Sequence, residues 1–463
     1  MAKIEFEEVK RYLQSLADDI IKYSTFKYPG FEIECFLSYG YESEISIEGG
    51  LPKATDGFGG GVGVRVAENK QQGFASSSGL TKNVLDSTVD DAVSTMRAIN
   101  TVDEKFHGFA DPKKQHTSDG DIYRPLLDLT SADLIQMVNQ ITSEAREVDK
   151  RITTIVGQTG ITYGGFAVGN SRGINSASIG LASLIAIQTI AMEPGSDKRK
   201  IGLEFDVSRS RPLEWDGLAE KSAKHAVELL DTVKLGKSEV LPTIWEPRIG
   251  SSYILSSLGS ALNGRSVVEG RSRFSDRIGE EISLSEFSLY DDGQLPEALN
   301  TSAIDAEGLP RQKTSLVEDG VLKHFLFDSY YARIFGAEST ANASRAGQGY
   351  TSTPNIGVST LVVPEGSTDL EKAISEISEG IYMQDYVMGL GHSDAISGDF
   401  SAVAPQSFLI KNGEIAGALD PVTIGGNFYK GLNDIRTICT DATLTPWNIK
   451  IPTIVLDGFT VSG

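Results

Sequence analysis

His392-Ser393-Asp394, with Asp399 close behind, brings an imidazole and two carboxylates together in this chain. Residues two apart on an extended segment face the same way, so His392, Asp394 and Asp399 could form an N/O metal site or an autonomous hydrolytic centre. No third strong ligand is evident, and a polar loop in which Asp and Ser bond their own backbone accounts for the same residues. Gly169-Asn170-Ser171-Arg172-Gly173 has the form of a nucleophile elbow, which needs a strand, a sharp turn and a helix. Ile174 to Ile179 lacks a helical pattern, so a β-turn is the expectation there. Gly236-Lys237-Ser238 ends like a phosphate-binding loop, but Asp231 stands where that loop needs glycine and would repel phosphate, which leaves a linker. The glycine cluster at 57–63 precedes a strand, whereas a dinucleotide fingerprint follows one and opens a helix. A flexible strand or close backbone packing is expected for it. His107, His116 and His225 have no sequence neighbours that would define a site, and His324 reads as a strand residue after a hairpin.

The elements that must position these residues follow from periodicity. Phe6, Val9, Leu13, Leu16, Ala17 and Ile20 recur at helical spacing, Pro29-Gly30 breaks the pattern, and Phe31, Ile33, Cys35 and Leu37 alternate as in a strand. A second helix carries Val84, Leu85, Val89, Ala92, Val93 and Met96 on one face. Residues 101–128 are polar and read as a linker. Thr130 and Asp133 resemble a capping box for a helix through Val148, followed by β-rich sequence from Ile152 to Ala191 and a helix at Leu218 to Leu230. Beyond residue 235, Asp292-Gly293, Asp319-Gly320 and Asn412-Gly413 each sit between apolar runs, the strongest short-range hairpin signal. Helical patterns interrupt near 250–263, 327–336 and 368–380. The expected class is α+β: N-terminal α/β units, then a large, mainly β C-terminal domain. Three domains are expected, at 1–105, 106–234 and 235–463, the second including the linker.

Composition limits the function. With 42 basic and 63 acidic residues the net charge is −21, which repels phosphate backbones and anionic membrane surfaces, so neither nucleic acid nor membrane is an expected partner. Only Cys35 and Cys439 occur, too few for a disulfide framework or a Cys-rich zinc module. No signal core or membrane span is apparent, and a cytoplasmic location is expected.

An ordered series of motifs runs through the C-terminal half. Asp305-Ala306-Glu307-Gly308-Leu309-Pro310 and Leu316 to Leu322 come first. Ser344-Arg345, Gly380-Ile381-Tyr382 and Ser397-Gly398-Asp399-Phe400-Ser401 follow, then Ile410 to Ile415 and Val422 to Asn427. With Gly63-Val64-Arg65-Val66 and Asn170-Ser171-Arg172-Gly173 earlier, the chain resembles the TldD/PmbA family, once named modulators of DNA gyrase, over nearly its whole length.

The resemblance implies a zinc-dependent peptidase of two related subunits, in which the TldD type carries an H-E-x-x-x-H helix and a later cysteine. On such a helix two histidines approach one zinc, the glutamate acts as general base, and an open position holds the attacking water. The corresponding positions here fall at about Leu255-Ser256-Ser257-Leu258-Gly259-Ser260, without histidine or glutamate, and the later cysteine would fall near Pro446-Trp447-Asn448. Cys439 aligns with a turn instead and is expected to be a packed thiol. The chain therefore resembles the PmbA type, also called TldE. What this implies is no catalytic residue and no metal or other cofactor in this chain, zinc in a TldD-like partner, and unfolded or flexible peptides as substrate. Ser397, Gly398, Asp399, Phe400 and Ser401 are the expected substrate-binding segment, although a fold-building turn accounts for the same residues. A stand-alone peptide-binding or regulatory homodimer is the alternative.

Overall fold

The structure, a computed structural model, describes residues 4–463. Helix α1 (Val9–Lys27) buries Val9, Leu13, Ala17 and Ile20, the stripe its periodicity predicts. Strands β1 (Glu32–Glu48), β2 (Leu51–Glu68) and β3 (Gln71–Ser78) follow, then α2 (Lys82–Ile99). Asn69 and Lys70 both take positive φ and close the β2–β3 hairpin, a conformation that matches the twist of the strands. Helix α3 (Ser131–Val148) opens with the expected capping box, Thr130 and Asp133 each bonding the other's backbone N–H. Strands β4 (Ile152–Asn170), β5 (Asn175–Met192) and β6 (Arg199–Ser208) lead to α4 (Leu218–Glu228).

The segments on either side of the polar linker share one antiparallel sheet, in the order β3-β2-β1-β4-β5-β6. The joint is the β1–β4 ladder, which runs from Glu34↔Asn170 to Glu48↔Val156. Alternation sends Cys35, Leu37, Tyr39, Ile45 and Ile47 of β1 to the helix-covered face and Phe36, Ser38, Gly40 and Glu42 to the other. That second face looks onto the C-terminal domain.

There, α5 (Pro247–Ile254) continues as a wider π turn over Leu255–Gly259. The main sheet runs through Asp399–Ala404, Val422–Asn427, Ile454–Ser462, Ser238–Trp245, Glu379–Met383, Ser407–Lys411 and Glu414–Leu419. Trp245, Tyr253, Phe400, Phe428 and Phe459 fill its core, mostly edge to face. The class is α+β, as the pattern predicts.

Several local expectations change. The glycine cluster at 57–63 lies inside β2 rather than before a strand. Asp292-Gly293 closes no tight hairpin, because Leu289–Asp292 pairs with Lys313–Glu318 across the long excursion 293–312. Asp319-Gly320 and Asn412-Gly413 do turn, with positive φ at both residues of each pair. The helical patterns in the C-terminal domain shrink to short helices, including Ser329–Phe335 and Leu370–Ser375. Asn170 to Gly173 is the expected turn, with Asn170 Oδ1 accepting the N–H groups of Arg172 and Ile174 at 3.0 Å. Among the described residues no helix is long and apolar enough to cross a membrane, which says nothing of a β-barrel.

Candidate functional site

A cleft of about 700 Å³ separates the open face of the N-terminal sheet from the C-terminal domain. Ser38, Gly40 and Thr162 contribute to one side, and Asn300, Ser344 and Tyr350 to the other. Beside it, a buried ionic cluster ties the two halves together. Glu34 accepts from Arg65 Nε at 2.9 Å, Arg65 Nη2 at 2.8 Å and Arg345 Nη2 at 2.9 Å. Arg65 also reaches Glu307 at 3.5 Å, and Glu307 accepts the N–H and O–H of Ser329, both at 2.8 Å. Asp305 accepts the N–H groups of Glu307 and Leu309 at 2.9 Å and of Ala343 at 3.1 Å. The D-x-E-G-x-P motif is thus a joint: Asp305 shapes the turn and Glu307 reaches across to β2. Burial pushes the Asp305 and Asp328 carboxyls well above the usual range, with Glu307 adding to both, and burial pulls the Arg345 guanidinium down to about 10.

A second cluster joins α4 to the C-terminal domain. His225 Nδ1 lies 3.1 Å from Asp385, and Arg248 binds Asp385 at 3.0 Å and Glu204 at 2.8 Å. Glu246 accepts the Asp385 N–H at 2.6 Å, and burial pushes its carboxyl up to about 7. Burial opposes charge on His225, yet Asp385 leaves the imidazole raised. Sequence reading gave His225 no partner because Asp385 belongs to a distant segment. Helical position and the neighbouring acids carry no signal of that contact.

The predicted segment 397–401 stands apart from the cleft. Asp394 Oδ1 accepts the N–H groups of Ile396 at 2.8 Å and Ser397 at 3.1 Å, which turns the chain into the strand Asp399–Ala404. Gly398 takes φ +84°, and a Cβ there would fall 2.3 Å from the Tyr429 ring. Asn427 Nδ2 donates to Ser397 O at 2.8 Å and Asp399 Oδ1 at 2.7 Å. Phe400 is buried and stacks on Phe428 at 4.5 Å, while Ser401 is exposed on the strand. This turn builds the fold. His392, Asp394 and Asp399 are all exposed, and among the described residues no group of three or more His, Cys, Asp or Glu side chains is arranged to hold a metal.

The positions that correspond to the zinc helix of the TldD type do not fit the ion. Ser257 and Leu258 are buried, and the Ser257 hydroxyl donates to Tyr253 O at 2.8 Å. Leu255 to Ser260 supplies neither imidazole nor carboxylate. Cys439 is the packed thiol expected, and burial pushes it and Cys35 up to about 12 each.

Residues 33–98 match PmbA/TldA metallopeptidase domain 1, residues 124–230 the central domain and residues 238–463 the C-terminal domain. The chain belongs to the PmbA/TldD metallopeptidase family. Metalloprotease PmbA of Escherichia coli O157:H7 is 26% identical over 409 residues, covering 87% of this chain and 86% of that protein. A metalloprotease TldD homolog of Buchnera aphidicola is 24% identical over 460 residues, covering 92% of each. The crystal structure of TldE from Thermococcus kodakarensis has the same fold, with TM-score 0.87 and 24% identity over 97% of this chain and 100% of that one. Within this PmbA/TldD chain, the family-like motifs at 63–66, 305–310 and 344–345 meet at the ionic joint beside the cleft.

Proposed function

We propose that this chain is the zinc-free subunit of a heteromeric PmbA/TldD-type metallopeptidase, active in the cytoplasm on unfolded or flexible peptides. A TldD-like partner supplies the zinc, and this chain contributes a wall of the cleft that holds the peptide. The observation that carries the reading is the segment Leu255 to Ser260, whose side chains include neither imidazole nor carboxylate. Activating a water on zinc takes imidazole, carboxylate or thiolate ligands and a general base, so in this reading the hydrolytic chemistry comes from another polypeptide. What remains to this chain is binding and orientation, which lower the barrier by fixing the scissile bond near the nucleophile.

Elemental mass spectrometry of the purified chain, after mild removal of loosely bound metal, tests the first half, and peptidase assays with and without a TldD-type protein test the second. The expected result is far less than one zinc per chain and cleavage only with the partner. Stoichiometric zinc, or cleavage by this chain alone, would sink the reading.

A further inference from the structure

The cleft is bracketed by two attachments of different chemistry. At the end of the N-terminal sheet where Glu34 pairs with Asn170 stands the joint of Glu34 with Arg65 and Arg345. The cleft lies farther along the strands, around Ser38 to Glu42 and Thr162 to Phe166. Beyond it, at the level where Gly157 pairs with Ile187 and Ile187 with Glu204, the C-terminal domain takes hold of β6, the last strand of the sheet. Gln406 Nε2 donates to Ile201 O at 2.7 Å and Arg248 Nη1 to Leu203 O at 2.9 Å, so side chains cover the outer edge of β6.

Four segments meet behind that edge. Helix α4 brings His225, β6 brings Glu204, the start of α5 brings Glu246 and Arg248, and the turn after Glu379–Met383 brings Asp385. The His225 ring lies against Phe408 at 6.2 Å, with Nδ1 3.1 Å from Asp385, and its buried Nε2 has no hydrogen-bond partner among the described residues. Asp385 is thus the group that holds the ring, and it holds an imidazolium more strongly than an imidazole, whose ordinary titration near about 6.5 falls in the physiological range. With protons on His225 and Glu246, two cations face the carboxylates of Asp385 and Glu204; without them, Arg248 alone faces three buried carboxylates. The surrounding groups do not compensate. Burial pushes the Tyr382 hydroxyl up to about 12 and raises that of Tyr386, so both stay neutral. Lys200 of β6 donates to Pro405 O at 3.4 Å, Asp206 is taken by Arg211, and Lys221, Lys224 and Glu228 of α4 are exposed. Asp385 also takes φ +63°, a conformation that a non-glycine residue keeps only while its surroundings hold it, here by the 2.6 Å bond from its N–H to Glu246.

We propose that His225, Asp385 and Glu246 form a proton-operated latch, which fastens the C-terminal domain to α4 and β6 on the acid side of neutrality and releases it as the pH rises, so that the domain swings on the Glu34 joint and the cleft opens. Both titrations act in one direction. Burial opposes charge on His225, yet Asp385 leaves its proton held above the ordinary value, and burial lifts Glu246 from 4.5 to about 7. Each contribution is full below the unfolded value and is lost as the pH rises through the folded one. The mouth of the cleft at Glu42 lies between joint and latch, so release at β6 widens it while the joint keeps the halves together.

The test is hydrogen exchange of the full chain at pH 6 and pH 8, corrected for the intrinsic rate, with mass spectrometry separating β6 and α4 from the β1–β4 ladder. Opening of β6 and α4 should be about tenfold more frequent at pH 8, the factor that a carboxyl raised from 4.5 to about 7 supplies across that window, with the ladder unchanged. Glu246→Gln should remove most of the step, and His225→Gln/Glu246→Gln all of it. The native thiols are buried, so spin labels on Glu42→Cys and Gln348→Cys, exposed on opposite walls, report the width of the cleft. Their separation should be longer at pH 8 than at pH 6, and equal at both once Glu246→Gln is added. Equal exchange at the two pH values, a step shared by the β1–β4 ladder, or a label distance that ignores pH overturns the latch. A step that persists undiminished in Glu246→Gln also overturns it and traces the response to Asp305 and Asp328 at the joint. Wild type and Glu246→Gln decide the matter even where the double variant does not fold.

Discussion

Replacing Glu34 by glutamine removes one buried charge and almost no volume. The wild-type carboxylate has 0% side-chain exposure and holds three N–H groups of Arg65 and Arg345 at 2.8–2.9 Å. Without it, two guanidinium groups share Glu307, whose distance to Arg65 is 3.5 Å. Bonds to charged groups contribute about 1.5–3 kcal/mol each, and breaking a buried pair from one side costs about 3–5 kcal/mol. The amide oxygen still accepts from one arginine, so a loss of about 3 kcal/mol is expected, at the low end of that range. Urea denaturation followed by tryptophan fluorescence measures it as a lower midpoint, with faster proteolysis of the 101–128 segment if the two halves loosen. Arg345→Met in the same background supplies the second arm. Removing both members leaves Arg65 and Glu307 as a balanced pair, so the double variant should be more stable than the sum of the single losses predicts. A Glu34→Gln loss below about 0.5 kcal/mol, or strict additivity, refutes the ionic joint as the element that holds the halves together.

Glu246→Gln should act through pH. Burial raises the folded carboxyl from 4.5 to about 7, so the native state binds the proton more tightly. The associated stability is full below about pH 4.5 and is lost as pH rises through 7. The variant, which keeps the oxygen that accepts the Asp385 N–H, should match wild type near pH 4 and exceed it by roughly 3 kcal/mol at pH 8, as urea midpoints at the two values will show. Thr130→Ala removes the cap of α3 and should cost about 1 kcal/mol, with faster amide exchange confined to the first turn of that helix. Cys35 and Cys439 are fully buried with thiols pushed to about 12, so a disulfide reagent should find no thiol in the native chain and both after unfolding; rapid native labelling would contradict that burial.

The parts legible in the sequence are those specified by near neighbours. The stripe of α1, the Thr130–Asp133 box and the Asp319-Gly320 and Asn412-Gly413 turns each depend on residues within a few positions of one another. Gly57 to Gly63 reads as a flexible strand or close backbone packing, but glycine lacks the side chains that would mark it as the interior of a long strand; its conformation is imposed by pairing with β1 and, at Gly61, by packing under Tyr350. Asp292-Gly293 carries the hairpin dipeptide, but Leu289–Asp292 also pairs with Leu361–Val362, and the sheet decides its partners over the local signal. The ionic joint was invisible for the same reason. Glu34, Arg65, Glu307 and Arg345 are ordinary charged residues in sequence, and only the folded topology brings them within bonding distance.

The place of Ile454–Ser462 in the C-terminal sheet sets an order of assembly. It lies between Ser238–Trp245 and Val422–Asn427, pairing with both, so it is central to the sheet although it follows every other strand in the chain. During translation the N-terminal sheet has all its strands once residue 208 has left the ribosome. The C-terminal sheet at that stage cannot close, and the Ser238–Trp245 edge stays unpaired on that side until the last strand emerges. Synthesis thus leaves an apolar edge waiting for a late strand, the state in which a nascent chain is most exposed to wrong pairing and most dependent on a chaperone.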